Sequence, residues 1–318
     1  MKVLIVSSGN SGELAPFVGE QVESLARFNI LFDYYHIVGK GVFGYLRNMK
    51  ALSWKINSFN PDLIHAHYGL SGFLSVLAKK DIPVITTFHG NDINPIGLNS
   101  KFKPNINKLI SRLTYQNSKN SIFVHKDLAT KVNAKRGNYE IIPCQVNLDT
   151  FYPISKMSAR ADLNLSMHKK YVLFSSSFDN YIKNYPIAEE ACKVFDDLEI
   201  IELKGYSRRE VNLLLNACDL ALITSFNEGS SQFIKEAMSC NCPVVSTDVG
   251  DAGYVFGQTE GCFLTSFEVD DIIDKIGNAL EFAGNKQKTL GRQRIIELRM
   301  DAENTSQRVY EVYLKTIK

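Results

Sequence analysis

The chain has 318 residues, enough for two domains of ordinary size, and its 45% hydrophobic and 22% charged residues are typical of an ordered globular protein. This balance excludes a disordered, collagen-like or coiled-coil chain. No run approaches the roughly 18 apolar residues that a membrane helix needs, and the apolar start MKVLIV is interrupted at Ser7 before a secretory core could form. We therefore expect neither a membrane span nor a signal peptide.

The formal net charge of +2 conceals two halves of opposite sign. Residues 1–150 carry 17 Lys and Arg against 10 Asp and Glu, whereas the remainder carries 19 against 24. Within the first half, residues 101–136 hold nine basic side chains and one acidic one. Such a segment is either a solvated face or a surface for anionic lipid headgroups or a lipid-linked phosphate. Because no nucleic-acid reader motif accompanies the charge, nucleic acid is not expected as a partner.

The cysteines and histidines do not predict a metal centre. All six cysteines lie after residue 143, and without a secretory signal they indicate reduced thiols in a cytoplasmic protein. His65 and His67 form an H-x-H pair, but no carboxylate or cysteine cluster completes a metal shell around it. No D-x-D pair follows a candidate strand. We expect no metal ion and no cofactor.

Short β-rich runs alternate with amphipathic stretches along the chain. Strands are predicted at residues 2–7, 30–37, 62–67, 83–88, 121–125 and 139–143, then at 171–176, 198–203, 219–225, 243–248 and 262–265. Helices are predicted between them, for example at residues 17–28 and 70–79, and over the last stretch, 302–317. A further stretch, residues 43–59, is interpreted as one basic amphipathic helix that either packs on its domain or contacts an anionic membrane.

Strand and helix alternation predicts an α/β protein with two doubly wound parallel sheets in tandem. We place the domains at residues 1–155 and 156–300, with residues 301–318 as a final helix. Open parallel sheets bind ligands at the carboxyl ends of their strands. The chemistry is therefore expected in the loops that follow the strands, on the two sides of a cleft between the domains.

The strongest local signal is the segment TSFNEGSSQFIKEAMSCNCPVVSTDVG, residues 224–250. Gly229, Ser230 and Ser231 precede a predicted helix, where free backbone N–H groups and the helix dipole favour an anion such as a diphosphate. Glu228 and Glu236 flank this position on the order of 10 Å apart, too wide for a retaining glycosidase pair but suited to the sugar and the ribose of a nucleotide sugar. The alternative is a capping or ion-paired Glu228 and a surface Glu236.

This E-x7-E segment resembles the retaining nucleotide-sugar glycosyltransferases of family 4. Four more segments match motifs of that family in the same order: residues 62–69, 86–94, 141–153 and 172–184. The resemblance implies the GT-B fold, in which two Rossmann-like domains face a cleft and a C-terminal helix crosses back to the N-terminal domain. It also implies an acceptor-binding first domain and a donor-binding second domain.

The resemblance implies roles for individual residues. Glu228 would bind the donor sugar, Glu236 the ribose hydroxyls, and Lys183 would neutralise the diphosphate leaving group. Backbone N–H groups at Gly229, Ser230 and Ser231, and at Ser11 and Gly12 after the first strand, would also bind the diphosphate. His89 would donate or accept a hydrogen bond at the transferred sugar, and Asp92 would either orient an acceptor hydroxyl or cap a turn.

The implied activity is metal-independent transfer of a sugar, with retention, from a UDP-type or GDP-type donor to a glycan or lipid-linked acceptor. Synthesis of cell-surface polysaccharide at the inner face of the cell membrane is the expected setting. One departure is that Ser176 and Ser177 stand where the family has Gly-Arg, so either Arg208 or Arg209 substitutes or the leaving group is held more weakly. A nucleotide-sugar epimerase and a non-catalytic sugar-nucleotide sensor are the alternatives.

Overall fold

Two parallel β-sheets organise the chain, one in each of two units. The first unit comprises Met1–Cys144 and Ala302–Lys318, and the second comprises Gln145–Asp301. The computed structural model describes residues 1–10, 14–79, 81–94, 106–135, 137–285 and 288–318. The predicted donor-binding residues Ser11 and Gly12 lie outside these ranges, as do Lys101, Lys103 and Arg136 of the basic segment.

In the described part of the first unit, six strands form one parallel sheet in the order β2-β1-β3-β4-β5-β6. The strands are β1 (Lys2–Ser8), β2 (Leu31–Ile37), β3 (Leu63–His67), β4 (Val84–Phe88), β5 (Asn120–Phe123) and β6 (Tyr139–Ile141). The helices are α1 (Pro16–Leu25), α2 (Gly41–Leu46), α3 (Met49–Phe59), α4 (Gly69–Ala78), α5 (Ile106–Asn117), α6 (Lys126–Lys131) and the final helix α14 (Ala302–Ile317).

In the described part of the second unit, five strands form a parallel sheet in the order β11-β10-β9-β7-β8. The strands are β7 (Lys170–Phe174), β8 (Leu198–Glu202), β9 (Leu220–Ile223), β10 (Val244–Thr247) and β11 (Cys262–Thr265). The helices are α7 (Lys156–Asp162), α8 (Tyr185–Cys192), α9 (Arg208–Ala217), α10 (Gln232–Ser239), α11 (Ala252–Phe256), α12 (Val269–Gly284) and α13 (Gly291–Glu297).

The burial of the central strands explains why the sequence pattern predicted them. β1 buries four consecutive apolar residues, Val3 to Val6, because helices cover both faces of a parallel sheet. Each predicted strand is present within a few residues of its expected bounds, and the α/β fold class is confirmed. The final helix is also confirmed: its Val309, Val312 and Tyr313 are buried in the same apolar cluster as Val22 of α1.

The interpretation of residues 43–59 as one helix is wrong. The structure has two helices there, α2 and α3, separated by a turn at Asn48. The side-chain amide of Asn48 donates hydrogen bonds to the backbone carbonyls of Val38 and Gly44, at 3.0 and 2.9 Å. A side chain that bonds the backbone in this way competes with helix continuation. Amphipathic periodicity alone does not register such a break.

Candidate active site

Lys183 and Glu228 lie in neighbouring loops of the second unit. Lys183 ends a short 3₁₀ helix after β7, and Glu228 follows β9, which is paired with β7 in the sheet. Nζ of Lys183 is 2.5 Å from Oε1 of Glu228, and the hydroxyl of Ser225 donates to the same oxygen at 2.8 Å. The structure therefore brings these two predicted residues together as an ion pair, and both side chains remain partly exposed.

Further hydrogen bonds to backbone carbonyls join the two loops. The hydroxyl of Thr224 donates to the carbonyls of Lys183 and Asn184, at 2.9 and 3.0 Å. The backbone N–H of Phe226 donates to the carbonyl of Ile182 at 2.9 Å. Because a buried hydroxyl and a backbone amide both hold the turn that carries Lys183, the position of its ammonium depends on the loop after β9.

The predicted anion cradle, Gly229 to Ser231, precedes α10. Ser231 is the N-cap of the helix, and its hydroxyl accepts a hydrogen bond from the N–H of Ile234 at 3.5 Å. Ser230 and Ser231 are both buried. The predicted helix start is confirmed, and the first turn of α10 has the backbone N–H groups that favour anions at helix N-termini.

A buried ion pair, which the sequence analysis missed, lies directly behind the cradle. Nζ of Lys235 on α10 is 3.0 Å from Oδ2 of Asp251 and 2.7 Å from the hydroxyl of Ser230, whose Oγ in turn lies 2.6 Å from that same carboxylate oxygen. The side chains of Lys235 and Asp251 are 0% and 2% exposed. The sequence offered little signal for this pair, because α10 also contains the polar Gln232 and Glu236, and a fully buried lysine becomes evident only with its ion-pair partner.

The loop after β10 approaches the cradle closely. Gly250 has a φ of +61°, and a Cβ at this position would lie 2.6 Å from the carbonyl oxygen of Gly229. Glycine is therefore required both by the left-handed backbone and by the close approach. Together with the Lys235–Asp251 pair, this contact fixes the cradle against the loop after β10.

Glu236 is buried on α10, not at the surface as the alternative interpretation had it. Its side chain is 3% exposed, and its Oε1 accepts a hydrogen bond from Nη2 of Arg208 at 2.5 Å. Burial raises the pKa of Glu236, while the Arg208 guanidinium opposes that shift. Arg208 is the first residue of α9, and its guanidinium lies 4.6 Å from the centroid of the Phe151 ring. Of the two predicted substitute arginines, Arg208 lies beside Glu236 and Arg209 is exposed.

In the first unit, His89 belongs to a cluster of imidazoles at the carboxyl end of the sheet. Nε2 of His89 lies 3.1 Å from Nδ1 of His67. His65 bonds Tyr313 through Nδ1 at 2.6 Å and Thr87 through Nε2 at 2.7 Å. Burial lowers the pKa of His67 to about 3 and also lowers the pKa values of the other two histidines. The three imidazoles are therefore neutral at physiological pH.

Two aromatic rings flank His89. The ring centroids of Phe17 and Tyr68 lie 4.6 and 4.7 Å from that of His89. Tyr68 has a φ of +73° and a ψ of 150°, a region that residues other than glycine rarely adopt. The backbone N–H of Tyr68 donates to the carbonyl of Thr87 at 2.8 Å. Such strain concentrates at functional sites, and here it places an aromatic ring against the predicted catalytic histidine.

Asp92 caps the turn after β4. Its Oδ1 accepts the backbone N–H of Gly90 at 2.9 Å, and its Oδ2 accepts that of Gly69 at 3.0 Å. Burial raises the pKa of Asp92 to about 6, against the opposing effect of these hydrogen bonds. The structure shows the contacts of the capping interpretation, and it also places Asp92 in the wall of a cavity.

This cavity, of about 370 Å³, lies at the carboxyl end of the first sheet. Its size falls in the range of small-molecule sites. Its polar wall is formed by hydroxyl, amide and carboxyl groups of Ser7, Ser8, Tyr45, Tyr68, Asn91, Asp92, Asn107 and Ser111. Ala15, Val18 and Leu70 complete the lining, and Asp92 is the one ionisable acid or base other than tyrosine among the described residues that form it. The cavity therefore combines apolar surface with mostly neutral hydrogen-bonding groups, which suits a neutral group that carries hydroxyls.

The described residues contain neither a metal site nor a helix that could span a membrane. No group of three or more His, Cys, Asp and Glu side chains in the described ranges is arranged to hold a metal ion. Of the helices in those same ranges, none combines the length and the hydropathy that crossing a bilayer requires.

Comparison with known families gives two matches. The family model of Glycosyltransferase Family 4 matches residues 1–150, and that of Glycosyl transferases group 1 matches residues 183–281. The second match contains Lys183, Glu228 and Glu236, and the first contains His89 and Asp92.

Several glycosyltransferases are similar to this chain. An uncharacterized glycosyltransferase of Methanocaldococcus jannaschii is 26% identical over 78% of this chain and 76% of its own length. TuaC of Bacillus subtilis, a putative teichuronic acid biosynthesis glycosyltransferase, is 24% identical over 62% of this chain and 56% of its own. The structure of Anabaena HepE in complex with UDP-glucose has a TM-score of 0.77 at 16% identity and covers 99% of this chain and 100% of that one. The chain therefore belongs to the family 4 glycosyltransferases and has the GT-B fold.

Proposed function

We propose that the protein transfers a sugar from a UDP-type or GDP-type donor, with retention and without a metal ion, to a hydroxyl of a glycan or lipid-linked acceptor. The observation that carries this proposal is the arrangement after β7 and β9. There Lys183 and Glu228 lie in adjacent loops at the carboxyl end of the second sheet, and Glu228 is followed in the chain by the N-terminus of α10 and by Glu236 within that helix. HepE, with the same fold, binds UDP-glucose, which supports a nucleotide sugar as the donor.

The second unit would bind the donor. The diphosphate would lie at Gly229, Ser230 and Ser231, where backbone N–H groups and the helix dipole stabilise negative charge. Lys183, now paired with Glu228, would turn its ammonium to the diphosphate and leave the Glu228 carboxylate for the hydroxyls of the sugar.

Glu236 would accept hydrogen bonds from the ribose hydroxyls. Arg208 already occupies one of its oxygens at 2.5 Å, which fixes the carboxylate and places a guanidinium near the nucleotide. We therefore assign to Arg208 the task that the missing arginine at Ser177 performs elsewhere in the family. Its planar, permanently charged head suits a phosphate better than a lysine would.

The transfer itself breaks the bond between the anomeric carbon and the diphosphate oxygen, and the electron pair leaves with the diphosphate. The acceptor hydroxyl oxygen forms the new bond on the same face of the sugar, and its proton passes to the departing diphosphate. Charge develops mainly on the leaving oxygens, so the largest contribution is expected from Lys183 and the N–H groups of the cradle. His89 contributes a hydrogen bond to the transferred sugar.

The first unit would bind the acceptor in its cavity of about 370 Å³. The hydroxyl and amide wall favours a sugar-like end group, and Asp92 would hold the backbone turn that shapes this wall. The similarity to TuaC, a putative glycosyltransferase of teichuronic acid biosynthesis, supports an acceptor in cell-surface polysaccharide synthesis.

A membrane-bound acceptor would require the protein to contact a lipid surface, and one face of α5 is suited to such contact. Ile106, Leu109 and Leu113 recur along α5 at 56%, 58% and 40% exposure. Lys108 and Arg112 lie on the same helix. An exposed apolar stripe beside cationic side chains is the pattern of a helix that lies in the interface of an anionic membrane. Phe43 and Trp54, which are 83% and 70% exposed, add apolar surface to the same unit.

Vesicle flotation tests this surface. We expect the protein to float with anionic vesicles and not with neutral ones, and the double variant Leu109→Ser with Leu113→Ser to reduce flotation several-fold. Leu290→Ser is the matched control, because Leu290 is 69% exposed on the second unit. Equal flotation with both kinds of vesicle would disprove the proposed contact with anionic lipid.

A donor screen tests the function. UDP- and GDP-sugars are each incubated with the protein and with glycan or lipid-linked acceptors, and both nucleotide release and the anomeric configuration of the product are measured. Acceptor-dependent release with a retained anomer is expected. Isomerisation of the donor without an acceptor would indicate an epimerase, and tight donor binding in calorimetry without turnover would indicate a sensor.

A further inference from the structure

His67 is a fully buried polar residue for which the proposed mechanism has no use. It ends β3 beside β4, where His67 is in register with Thr87, two residues before His89. Its side chain is 1% exposed, and its only hydrogen bond within the described residues joins its Nδ1 to Nε2 of His89 at 3.1 Å. Nε2 of His67 is buried and has no hydrogen-bond partner there.

The neighbouring His65 differs in this respect. Both of its ring nitrogens are bonded, to Tyr313 and to Thr87, so His65 is a satisfied structural residue. The ring centroids of His65 and His67 are 4.4 Å apart, so His65 limits how the His67 ring can lie. On the other side, Phe17 and Tyr68 flank the His89 ring. The geometry of the His67–His89 hydrogen bond is thus fixed from both ends.

A hydrogen bond between two neutral imidazoles contains one proton, and two arrangements are possible. If Nε2–H of His89 donates, then the proton of His67 lies on its own Nε2, and a donor is buried without an acceptor. If Nδ1–H of His67 donates, then His67 buries a bare ring nitrogen instead. Buried N–H groups without a partner are rarer in proteins than under-satisfied acceptors, so the second arrangement is favoured.

We infer that His67 is a positioning residue that donates its Nδ1–H to Nε2 of His89 and thereby holds His89 in the Nδ1–H tautomer. Nδ1 of His89 has no partner among the described residues, and His89 is only half-buried. His89 therefore presents an N–H donor, and not a proton acceptor, to its substrate. This inference rests on the proposed role of His89 at the transferred sugar, and it specifies that role as donation to a sugar oxygen.

Ring ¹⁵N chemical shifts test the inference directly. They are measured by long-range ¹H–¹⁵N correlation in the full-length protein labelled with ¹⁵N-histidine, and His89→Asn identifies the signals of His89. A bare ring nitrogen and a protonated one have widely different shifts. We expect a protonated Nδ1 and a bare Nε2 for His89 in the unmodified protein. A protonated Nε2 would overturn the inference, whether or not any variant folds.

Variants add a kinetic readout. His67→Leu, which cannot donate, should shift His89 towards the Nε2–H tautomer that free histidine prefers and lower kcat about tenfold, with a smaller change in the donor KM. His67→Asn, whose side-chain amide can donate a hydrogen bond, should restore most of the Nδ1–H tautomer of His89 and most of kcat. Tyr313→Phe is the control, because it removes a hydrogen bond from His65 and leaves the His67–His89 bond in place.

The outcomes separate the inference from the proposed function. If His67→Leu and Tyr313→Phe have the same effect on the tautomer and on kcat, His67 has no positioning role. If His89→Asn retains full transfer activity while the tautomer of His89 is as expected, the role of His89 in transfer is wrong and the tautomer assignment stands.

Discussion

The carboxyl ends of the two sheets carry polar groups of different kinds. In the first unit the polar cluster is neutral: His65 is bonded to Tyr313 and Thr87, and His67 is bonded to the half-buried His89. In the second unit the corresponding loops and the helices that follow them hold ion pairs, among them Lys183–Glu228, Arg208–Glu236 and Lys235–Asp251. Charge is expected where a diphosphate binds and departs, and neutral donors and acceptors are expected where hydroxyl groups bind.

Two of these ion pairs, Lys235–Asp251 and Lys183–Glu228, differ in their exposure to solvent. Lys235–Asp251 is out of reach of solvent and can act only by holding the cradle, whereas Lys183–Glu228 is partly exposed and can exchange partners. A lysine–carboxylate pair therefore supports the loop in one position, and in the other position it is free to act in the proposed ligand binding.

The largest effect is expected for Lys183→Ala. Removing the cation that would neutralise the leaving group should lower kcat/KM about 10³-fold, or about 4 kcal/mol, as measured in the transfer assay. Lys204→Ala is the matched control, since Lys204 is an exposed lysine of the same unit, 3.7 Å from Asp179, and its loss should change little. Equal kinetics for the two variants would show that charge in the second unit does not act on the leaving group.

Asp251→Asn should lower the free energy of unfolding by about 3 kcal/mol, because it leaves the fully buried Lys235 ammonium without its counter-charge. Urea denaturation measures this change. Adding Lys235→Met to Asp251→Asn should recover part of the loss, since the uncompensated charge is then absent. Glu199→Gln breaks the exposed pair with Lys169 and serves as control, because solvent screens this pair and its loss should change the free energy of unfolding little. A stability of Asp251→Asn equal to that of the control would contradict the supporting role of the pair.

The neutral cluster predicts a pH dependence of stability. The pKa of His67 is about 3 in the folded protein and about 6.5 in the unfolded chain, so the unfolded chain binds more protons between these values. The contribution of His67 to stability is therefore lost as the pH falls below about 6.5. Relative to His67→Asn, the protein should lose about 2 kcal/mol of unfolding free energy between pH 7 and pH 5.

The comparison with His67→Asn is necessary because Asp92 acts in the opposite direction. Burial raises the pKa of Asp92 to about 6, above its ordinary value of 3.8, so the folded protein binds more protons in that range and its stability falls as the pH rises. The pH dependence of the unmodified protein alone would therefore mix two signs. A difference between the protein and His67→Asn that is flat with pH would show that His67 is not buried as a neutral group.

The smallest effect is expected for Glu236→Ala. Loss of the carboxylate that would bind the ribose hydroxyls should weaken nucleotide binding about tenfold, as measured by calorimetry with UDP and GDP. Glu199→Ala, which removes an exposed glutamate of the same unit, is the matched control. Unchanged affinity in Glu236→Ala would show that Glu236 does not bind the nucleotide and only positions Arg208.

The fold could be predicted from the sequence because its signals are local. Continuous apolar runs such as Val3 to Val6 are typical of strands covered on both faces, and their alternation with amphipathic stretches leaves few possible architectures. The helix after Ser231 and the final helix were predicted for the same reason. The break at Asn48 was missed, because it depends on a side chain bonding carbonyls of another turn.

The site was predicted only as a set of residue types. The pattern around Glu228 and Glu236 indicated an anion site flanked by carboxylates, and the roles assigned to these residues, to His89 and to Lys183 remain predictions. The partners of these side chains could not be predicted, since Lys235 and Asp251 are 16 residues apart and lie on opposite sides of a strand in the sequence. The pairing of Arg208 with Glu236 could not be predicted either, because these residues are 28 positions apart in the sequence.

The sequence by itself determined the class of fold and the family. Hydrophobic periodicity and short motifs involve residues that are close together in the sequence, so they can be recognised without knowing how the chain folds. Only the tertiary structure decided which charges are neutralised, which carboxylates are buried, and that Nδ1 of His67 meets Nε2 of His89 at 3.1 Å. The free energy of a hydrogen bond or an ion pair depends on distance and on burial, and residues distant in the sequence establish both.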